Sequence, residues 1–307
     1  MNRRQALAGL GALSGTLLLP FSALSREKTA EKKFRYCLNT STIRENANGI
    51  LEFISVAGDA GYDGIEIWVR DVRAFLEQGG RAATLRQALA DQGLVAENAI
   101  GFAPWLSGPV GLEEMHRDMD MLAEVGCRRV AAPAMGGDLS QPLDLFEMAG
   151  LYNQLLDLGR RTGVMPQLEF WGASDRFWHL GQAAMVLCIS GDPDARLLPD
   201  VYHLFRGGTD FNALDMINGR FIDVFHLNDY PDPAELPRTD QTDADRVYPG
   251  DGAAPLSRVL NYLDTSPGEK VLSLELFHPA YWKQDARDVA STGLRKMKEA
   301  VEKAGLA

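Results

Sequence analysis

Short apolar runs alternate with longer amphipathic runs along the chain from residue 34 onward. Apolar runs of about four to eight residues are typical of buried strands, and longer runs with a period of about 3.6 residues are typical of helices. The predicted strands are 34–39, 64–69, 94–100, 128–134, 165–170, 195–203, 221–229 and 270–277. The predicted helices are 49–61, 83–93, 112–126, 148–163, 255–264 and 288–305. A glycine, which favours the left-handed conformation that closes a helix, ends four of them: Gly61, Gly93, Gly126 and Gly163.

This alternation of strands and helices predicts an α/β protein built from parallel βαβ units. Eight such units that close on themselves form a single (β/α)₈ TIM barrel, which we expect to occupy residues 26–307. A doubly wound open sheet is the alternative. No glycine-rich fingerprint follows the first strand, which weakens the dinucleotide-binding version of that fold.

The first 25 residues, "MNRRQALAGLGALSGTLLLPFSALS", have the pattern of an export signal. A basic start precedes a mildly apolar stretch, and the small residues Ala23 and Ser25 suit a signal-peptidase cut. The adjacent Arg3 and Arg4 resemble a twin-arginine signal, so the segment predicts a periplasmic protein. A plain secretory signal or an uncleaved anchor are the alternatives. No other segment approaches the roughly 18 apolar residues of a membrane span.

Composition and charge narrow the classes of function. The 307 residues carry 46% hydrophobic and 24% charged side chains, which are ordinary values for a globular protein. The formal net charge of -11 argues against a nucleic-acid groove, because such a groove needs clustered Lys and Arg. The three cysteines, Cys37, Cys127 and Cys188, have no zinc-site spacing and are expected to be small buried apolar residues.

Polar side chains with metal-binding chemistry fall at or near the ends of the last four predicted strands. Glu169 ends the fifth, Asp200 and His203 lie in the sixth, and His226 and Glu275 lie near the ends of the seventh and eighth. The carboxyl ends of barrel strands share one face, where active sites of this fold lie. With one residue taken from each strand, Glu169, Asp200, His226 and Glu275 supply three carboxylates and one imidazole, a mostly hard ligand set that suits a divalent cation. For any one of these residues alone, a salt bridge or a buried hydrogen bond is the more common role.

Aromatic residues and one long loop indicate the same face. The segment 230–252 is a long irregular stretch directly after a predicted strand, and loops of this length are usually functional or disordered. Aromatic rings commonly line small-ligand pockets and stack on sugars, although some of these rings could simply cap the barrel core. The five tryptophans all fall at or just after predicted strand ends: Trp68, Trp105, Trp171, Trp178 and Trp282. Trp105 and Trp171 are the candidates for substrate contact.

The segments "PQLEFWG", "LLPDVYHLFRGG", "VFHLNDYP", "RVYPGDG" and "LSLELFHPAYW" resemble the xylose isomerase-like TIM-barrel proteins, the sugar epimerase/isomerase group. The resemblance covers about the whole chain after the export signal and is generic before residue 160. It implies that one divalent ion (Mn, Mg, Co, Fe or Zn) is bound by Glu169, Asp200, His226 and Glu275. It also implies that Glu169 and Glu275 are the catalytic acid and base.

The resemblance further implies that His203, Arg246 and Glu66 bind substrate. The implied reaction is isomerisation or epimerisation of a keto sugar or related polyol, by proton abstraction beside a carbonyl and an enediolate intermediate. A dehydratase or lyase, for example on 3-keto glycosides, fits the same site, and a non-catalytic periplasmic sugar-binding protein is another alternative. A nuclease like endonuclease IV is disfavoured, because no histidine ends the second or third strand. The resemblance also allows a homo-oligomer, for which the sequence shows no interface.

Overall fold

The computed structural model describes residues 33–306. The predicted export signal, residues 1–25, lies outside the described residues. Within the described part, no helix combines the length and the apolar character that a membrane crossing requires.

The eight predicted strands are all present and run parallel to their neighbours. They are β1 Phe34–Asn39, β2 Gly64–Trp68, β3 Val95–Ile100, β4 Arg129–Pro133, β5 Met165–Glu169, β6 Leu197–Leu198, β7 Val224–His226 and β8 Lys270–Leu274. The ladders run β3-β2-β1-β8-β7 and β4-β5-β6. Parallel bridges Leu197–Ile222 and Asp200–His226 join β6 to β7, and Arg128 N donates to Ala96 O at 3.2 Å between β3 and β4. The sheet therefore closes, and the prediction of a (β/α)₈ barrel is confirmed.

Nine α-helices surround the strands in the described residues. They are α1 Ile50–Ala60, α2 Val69–Glu77, α3 Ala82–Asp91, α4 Pro109–Val125, α5 Leu145–Thr162, α6 Leu180–Ser190, α7 Val201–Arg206, α8 Leu256–Thr265 and α9 Ala286–Lys303. The sequence pattern predicted six of them and missed α2, α6 and α7. Left-handed glycines close α1, α4 and α5 as expected, at Gly61, Gly126 and Gly163. Short 3₁₀ helices at 40–43, 105–107, 211–216, 219–221, 243–245 and 281–283 shape the loops.

The sixth predicted strand is much shorter than expected, and this changes how two site residues are held. Pro199 has no backbone N–H to continue the ladder, so β6 ends at Leu198. Asp200 then becomes the N-cap of α7, where its Oδ1 accepts a hydrogen bond from His203 N at 2.9 Å. His203 therefore lies on a helix and not in a strand.

Apolar side chains of the strands and of the helix faces that cover them form the core. Side chains such as Ile65, Leu168 and Leu272 are fully buried, which is expected for parallel strands that are covered on both faces. Cys37 and Cys127 are buried as predicted. Cys188 on α6 is exposed, so the prediction of a buried role was wrong for this cysteine.

Candidate metal centre and active site

A cavity of about 400 Å³ opens at the carboxyl ends of the strands. Glu169 and Glu275 line it from β5 and from the residue after β8, and His203 lines it from α7. The long loop after β7 contributes Asp243 and Arg246 to the lining. The predicted face of the barrel is thus the one where the cavity and the polar side chains meet.

Three buried side chains form a compact group with the chemistry of a metal site. Ligand atoms of Asp200, His226 and Glu275 all lie within 4.8 Å of one another. His226 Nδ1 lies 3.4 Å from Asp200 Oδ2 and 3.2 Å from Glu275 Oε2. This nitrogen is buried and makes no hydrogen bond. A buried imidazole nitrogen directed at two carboxylates suits a divalent cation, because oxygen and nitrogen ligands of this kind bind such ions.

Glu66 lies behind His226 and fixes the orientation of its ring. His226 Nε2 lies 3.0 Å from the Glu66 carboxylate. Glu66 also accepts hydrogen bonds from Asn39 at 2.7 Å, Asn98 at 2.6 Å and Ser273 at 2.7 Å. It is fully buried and is not among the residues that line the cavity, so its contact with substrate stays a prediction. A carboxylate that holds the far nitrogen of a histidine leaves the near one available to a metal.

Negative charge around His226 favours the binding of a cation at this site. Burial alone would lower the pKa of His226, but Glu275 and Glu66 raise it well above its ordinary value. Burial raises the pKa of Asp200, yet its cationic neighbours outweigh burial and hold that pKa well below the ordinary value. The site therefore favours a positive charge, which a proton on His226 or a bound metal ion can supply.

Arg246 connects two of these carboxylates with the cavity wall. Its Nη1 donates to Asp200 Oδ2 and to Glu275 Oε2, each at 2.9 Å. Its Nη2 donates to Asp243 and lies 3.2 Å from His203 Nε2. Burial lowers the pKa of Arg246, but these carboxylates outweigh burial and raise it, so the guanidinium stays charged. Asp243 was missed by the sequence analysis, although it stands three residues before Arg246 in the predicted functional loop.

Glu169 borders the same cavity in a different electrostatic state. Its side chain is buried, and burial raises its pKa to about 8. The nearby carboxylates of Glu275 and Glu66 also raise this pKa, whereas His226 lowers it. Without a bound cation, Glu169 is therefore largely protonated at neutral pH. Its oxygens lie outside the group of three ligand residues, so its role as a fourth ligand stays a prediction.

The two candidate tryptophans occupy different positions. Trp171 lines the cavity, and its loop packs closely on α7, because a Cβ at Gly172 would meet His203 O at 2.5 Å. Trp105 is fully buried, and its indole N–H donates to Pro133 O. Trp105 therefore stabilises the loop after β3, and its contact with substrate stays a prediction.

Several residues of the site were not among the predicted ones. Asn39, the last residue of β1, donates to Glu275 Oε1 at 2.9 Å as well as to Glu66. Phe102 and Phe277 follow the ends of β3 and β8 and line the cavity. Their positions just after strand ends are the same signal that identified the acidic residues, and it applies equally to amides and phenylalanines.

Comparison with known proteins assigns the family. The family model described as a xylose isomerase-like TIM barrel matches residues 54–300. The chain therefore belongs to this family, as the motifs near the last four strands indicated.

Relatives and solved structures agree with that assignment. An inosose isomerase of Bacillus velezensis is 26% identical over 279 residues, which cover 88% of this chain and 98% of that protein. An inosose isomerase of Bacillus subtilis is 30% identical over 151 residues, which cover 49% of this chain and 53% of that protein. The crystal structure of an IOLI protein with a bound zinc atom has a TM-score of 0.78 at 24% identity and covers 88% of this chain and 99% of that chain. An L-ribulose 3-epimerase has a TM-score of 0.68 at 17% identity, with coverage of 88% and 95%. These structures establish the likeness of fold.

Proposed function

We propose that this protein is an isomerase or epimerase that acts on a keto sugar or a cyclic keto polyol and depends on one divalent metal ion. The observation that carries the proposal is that two glutamates, Glu169 and Glu275, line one cavity. Glu275 also belongs to the candidate metal-binding group with Asp200 and His226. Sugar isomerisation by this route needs an acid, a base and a positive charge near the carbonyl oxygen. The inosose isomerases among the relatives support the same class of substrate.

The metal would be held by Asp200, His226 Nδ1 and Glu275, with Glu169 as the proposed fourth ligand. When bound, a divalent cation would polarise the substrate carbonyl and so acidify the neighbouring C–H. The zinc atom bound in the IOLI structure supports a divalent metal but leaves its identity in this protein open among Mn, Mg, Co, Fe and Zn.

The two glutamates would move the proton. One of them takes the proton from the carbon beside the carbonyl, and the other returns a proton to the opposite face or to the adjacent carbon. His203 lies at the cavity and accepts from Arg246, which leaves it suited to bind a substrate hydroxyl. Arg246 would stabilise the negative charge that develops on the substrate oxygens during transfer.

Deuterium exchange tests this proposal. The metal-supplied protein is incubated in D₂O with a panel of ketohexoses and inososes, and incorporation at the carbon beside the carbonyl is followed by NMR. We expect incorporation with at least one of them, and a loss of about 10²- to 10⁴-fold in Glu169→Gln, which is the usual contribution of an acid or base. Glu113→Gln, a change at an exposed carboxylate on α4, is the matched control.

Each result of that experiment has a definite reading. No exchange with any substrate, or full exchange in Glu169→Gln, would overturn the proposal. Release of water from the substrate would instead support the dehydratase alternative. Substrate binding without exchange or product would support the sugar-binding alternative.

We also propose that the protein is exported to the periplasm by the twin-arginine route. The support is the sequence of residues 1–25, with its paired Arg3 and Arg4 before a weakly apolar stretch. Export of a folded protein by this route would allow the metal to be inserted before translocation.

A further inference from the structure

An unbroken chain of aromatic rings forms one wall of the cavity. Phe277 and Trp68 meet with ring centroids 6.2 Å apart, Trp68 and Phe102 at 5.5 Å, and Phe102 and Trp171 at 5.8 Å. All three pairs are edge-to-face, with interplanar angles of 76°, 64° and 69° respectively. The wall therefore begins beside Glu275, where Phe277 lies, and continues to Trp171, two residues after Glu169.

The four rings differ in whether a guanidinium group of the protein already lies over them. The guanidinium groups of Arg44 and Arg70 lie 4.4 and 4.6 Å from the Trp68 ring centroid. Arg44 also lies 4.8 Å from the Phe277 ring centroid. No guanidinium group among residues 33–306 lies over the Phe102 ring, and Phe102 is 42% exposed. A large apolar side chain that is open at the mouth of a cavity is a candidate ligand contact.

The charges of the cavity disfavour a phosphorylated substrate. Arg246 and His203 supply the basic side chains of the described lining. Arg246 is already paired with Asp200, Asp243 and Glu275. These carboxylates offset the charge of Arg246, so the described lining has no surplus positive charge for a phosphate dianion, which normally binds to Arg, Lys or a cluster of backbone N–H donors.

We propose that Phe102 and Trp171 form an outer subsite that binds a flat, weakly polar ring attached to the reacting sugar. The substrate class is then a neutral glycoside, and the attached ring is either an aromatic aglycone or a second sugar ring. This inference rests on the proposed function, because it extends the same cavity outward from the proton-transferring glutamates. A volume of about 400 Å³ falls in the range of pockets that enclose drug-sized ligands.

Calorimetric titration of the metal-supplied, full-length protein tests the subsite with three unreactive probes: methyl β-D-glucoside, phenyl β-D-glucoside and cellobiose. We expect phenyl β-D-glucoside to bind about tenfold more tightly than the methyl glucoside, because an aromatic contact adds affinity beyond the apolar area that it buries. Phe102→Ala should weaken binding of the phenyl glucoside by about fivefold to tenfold and leave that of the methyl glucoside unchanged.

Phe146→Ala is the matched control, because Phe146 on α5 is 65% exposed and does not line the cavity. Equal affinities for all three probes, no effect of Phe102→Ala, or no binding of any probe would overturn the subsite. If cellobiose gains affinity over the methyl glucoside, the subsite takes a second sugar ring. If the phenyl glucoside alone gains, the subsite takes an aromatic aglycone.

The result of the probe titration can be distinguished from the result of the deuterium-exchange experiment that tests the proposed function. Probe binding that depends on Phe102, together with no deuterium exchange in any keto sugar, would retain the subsite and reject the proton-transfer chemistry. Exchange without any preference among the probes would retain the chemistry and reject the subsite.

Discussion

Replacement of Glu169 by glutamine should stabilise the metal-free protein at neutral and mildly basic pH. Glu169 has no salt-bridge partner among the described residues, and its pKa is raised to about 8, mainly because it is buried. Ionising such a carboxyl in the folded protein costs free energy, whereas in the unfolded chain it ionises freely. Glutamine has nearly the same shape and never ionises, so it removes this penalty.

The pH dependence follows from the two pKa values. Between the ordinary pKa of 4.5 and the raised pKa of about 8, the folded protein keeps a proton that the unfolded chain releases. The free energy of unfolding of the wild type therefore falls as pH rises through this window. Each unit of pKa difference corresponds to about 1.4 kcal/mol, so the full penalty is on the order of 4–5 kcal/mol.

Thermal unfolding in the presence of a chelator, at pH 4.5, 6 and 8, measures the effect. We expect Glu169→Gln and the wild type to unfold at similar temperatures at pH 4.5. The variant should gain roughly 8–20 °C over the wild type at pH 8, at about 2–4 °C per kcal/mol. Glu113→Gln, at an exposed position, should follow the wild type throughout. A difference that does not change with pH, or a less stable Glu169→Gln at pH 8, would refute the assignment of a buried, protonated Glu169.

Three further predictions concern other parts of the account. Glu66→Gln should weaken metal affinity by about 10- to 100-fold, because the carboxylate that orients His226 is lost. Competition with a chelating dye measures the affinity, and an unchanged value would refute this role of Glu66. Trp105→Phe should lower the free energy of unfolding, measured by denaturant titration, by about 1–3 kcal/mol, because a buried hydrogen bond is lost. Trp178→Phe, a change at a side chain that is 39% exposed, should alter this free energy little. An Arg3→Lys/Arg4→Lys variant should remain in the cytoplasm on cell fractionation, and periplasmic recovery would contradict the twin-arginine route.

The barrel and its active face were predictable because strand ends can be read from the sequence. Glu169 closes an apolar run, and Glu275 directly follows one, so a parallel barrel brings both to the same face. The local conformation of Asp200 was not predictable from the same pattern. The run 195–203 is apolar enough for a strand, but Pro199 interrupts the ladder and the Asp200 side chain caps α7.

The sequence pattern also did not predict how deep in the barrel each side chain lies. Glu66 stands two residues before the end of β2, which places it roughly 6–7 Å below the strand end at about 3.3 Å per residue. It therefore meets His226 from below and does not reach the cavity. Trp105 shows the same limitation for a loop, because a single 3₁₀ turn over 105–107 carries its ring into the core.

The central claim is that Asp200, His226 and Glu275 hold a divalent cation on which the proposed chemistry depends. Elemental analysis of the purified wild type beside an Asp200→Ala/His226→Ala variant tests it most directly. We predict about one equivalent of Mn, Fe, Co, Zn or Mg per chain in the wild type and none in the variant, after both have been offered the same metals. No metal in the wild type under any reconstitution condition, or equal metal in both proteins, would contradict the account.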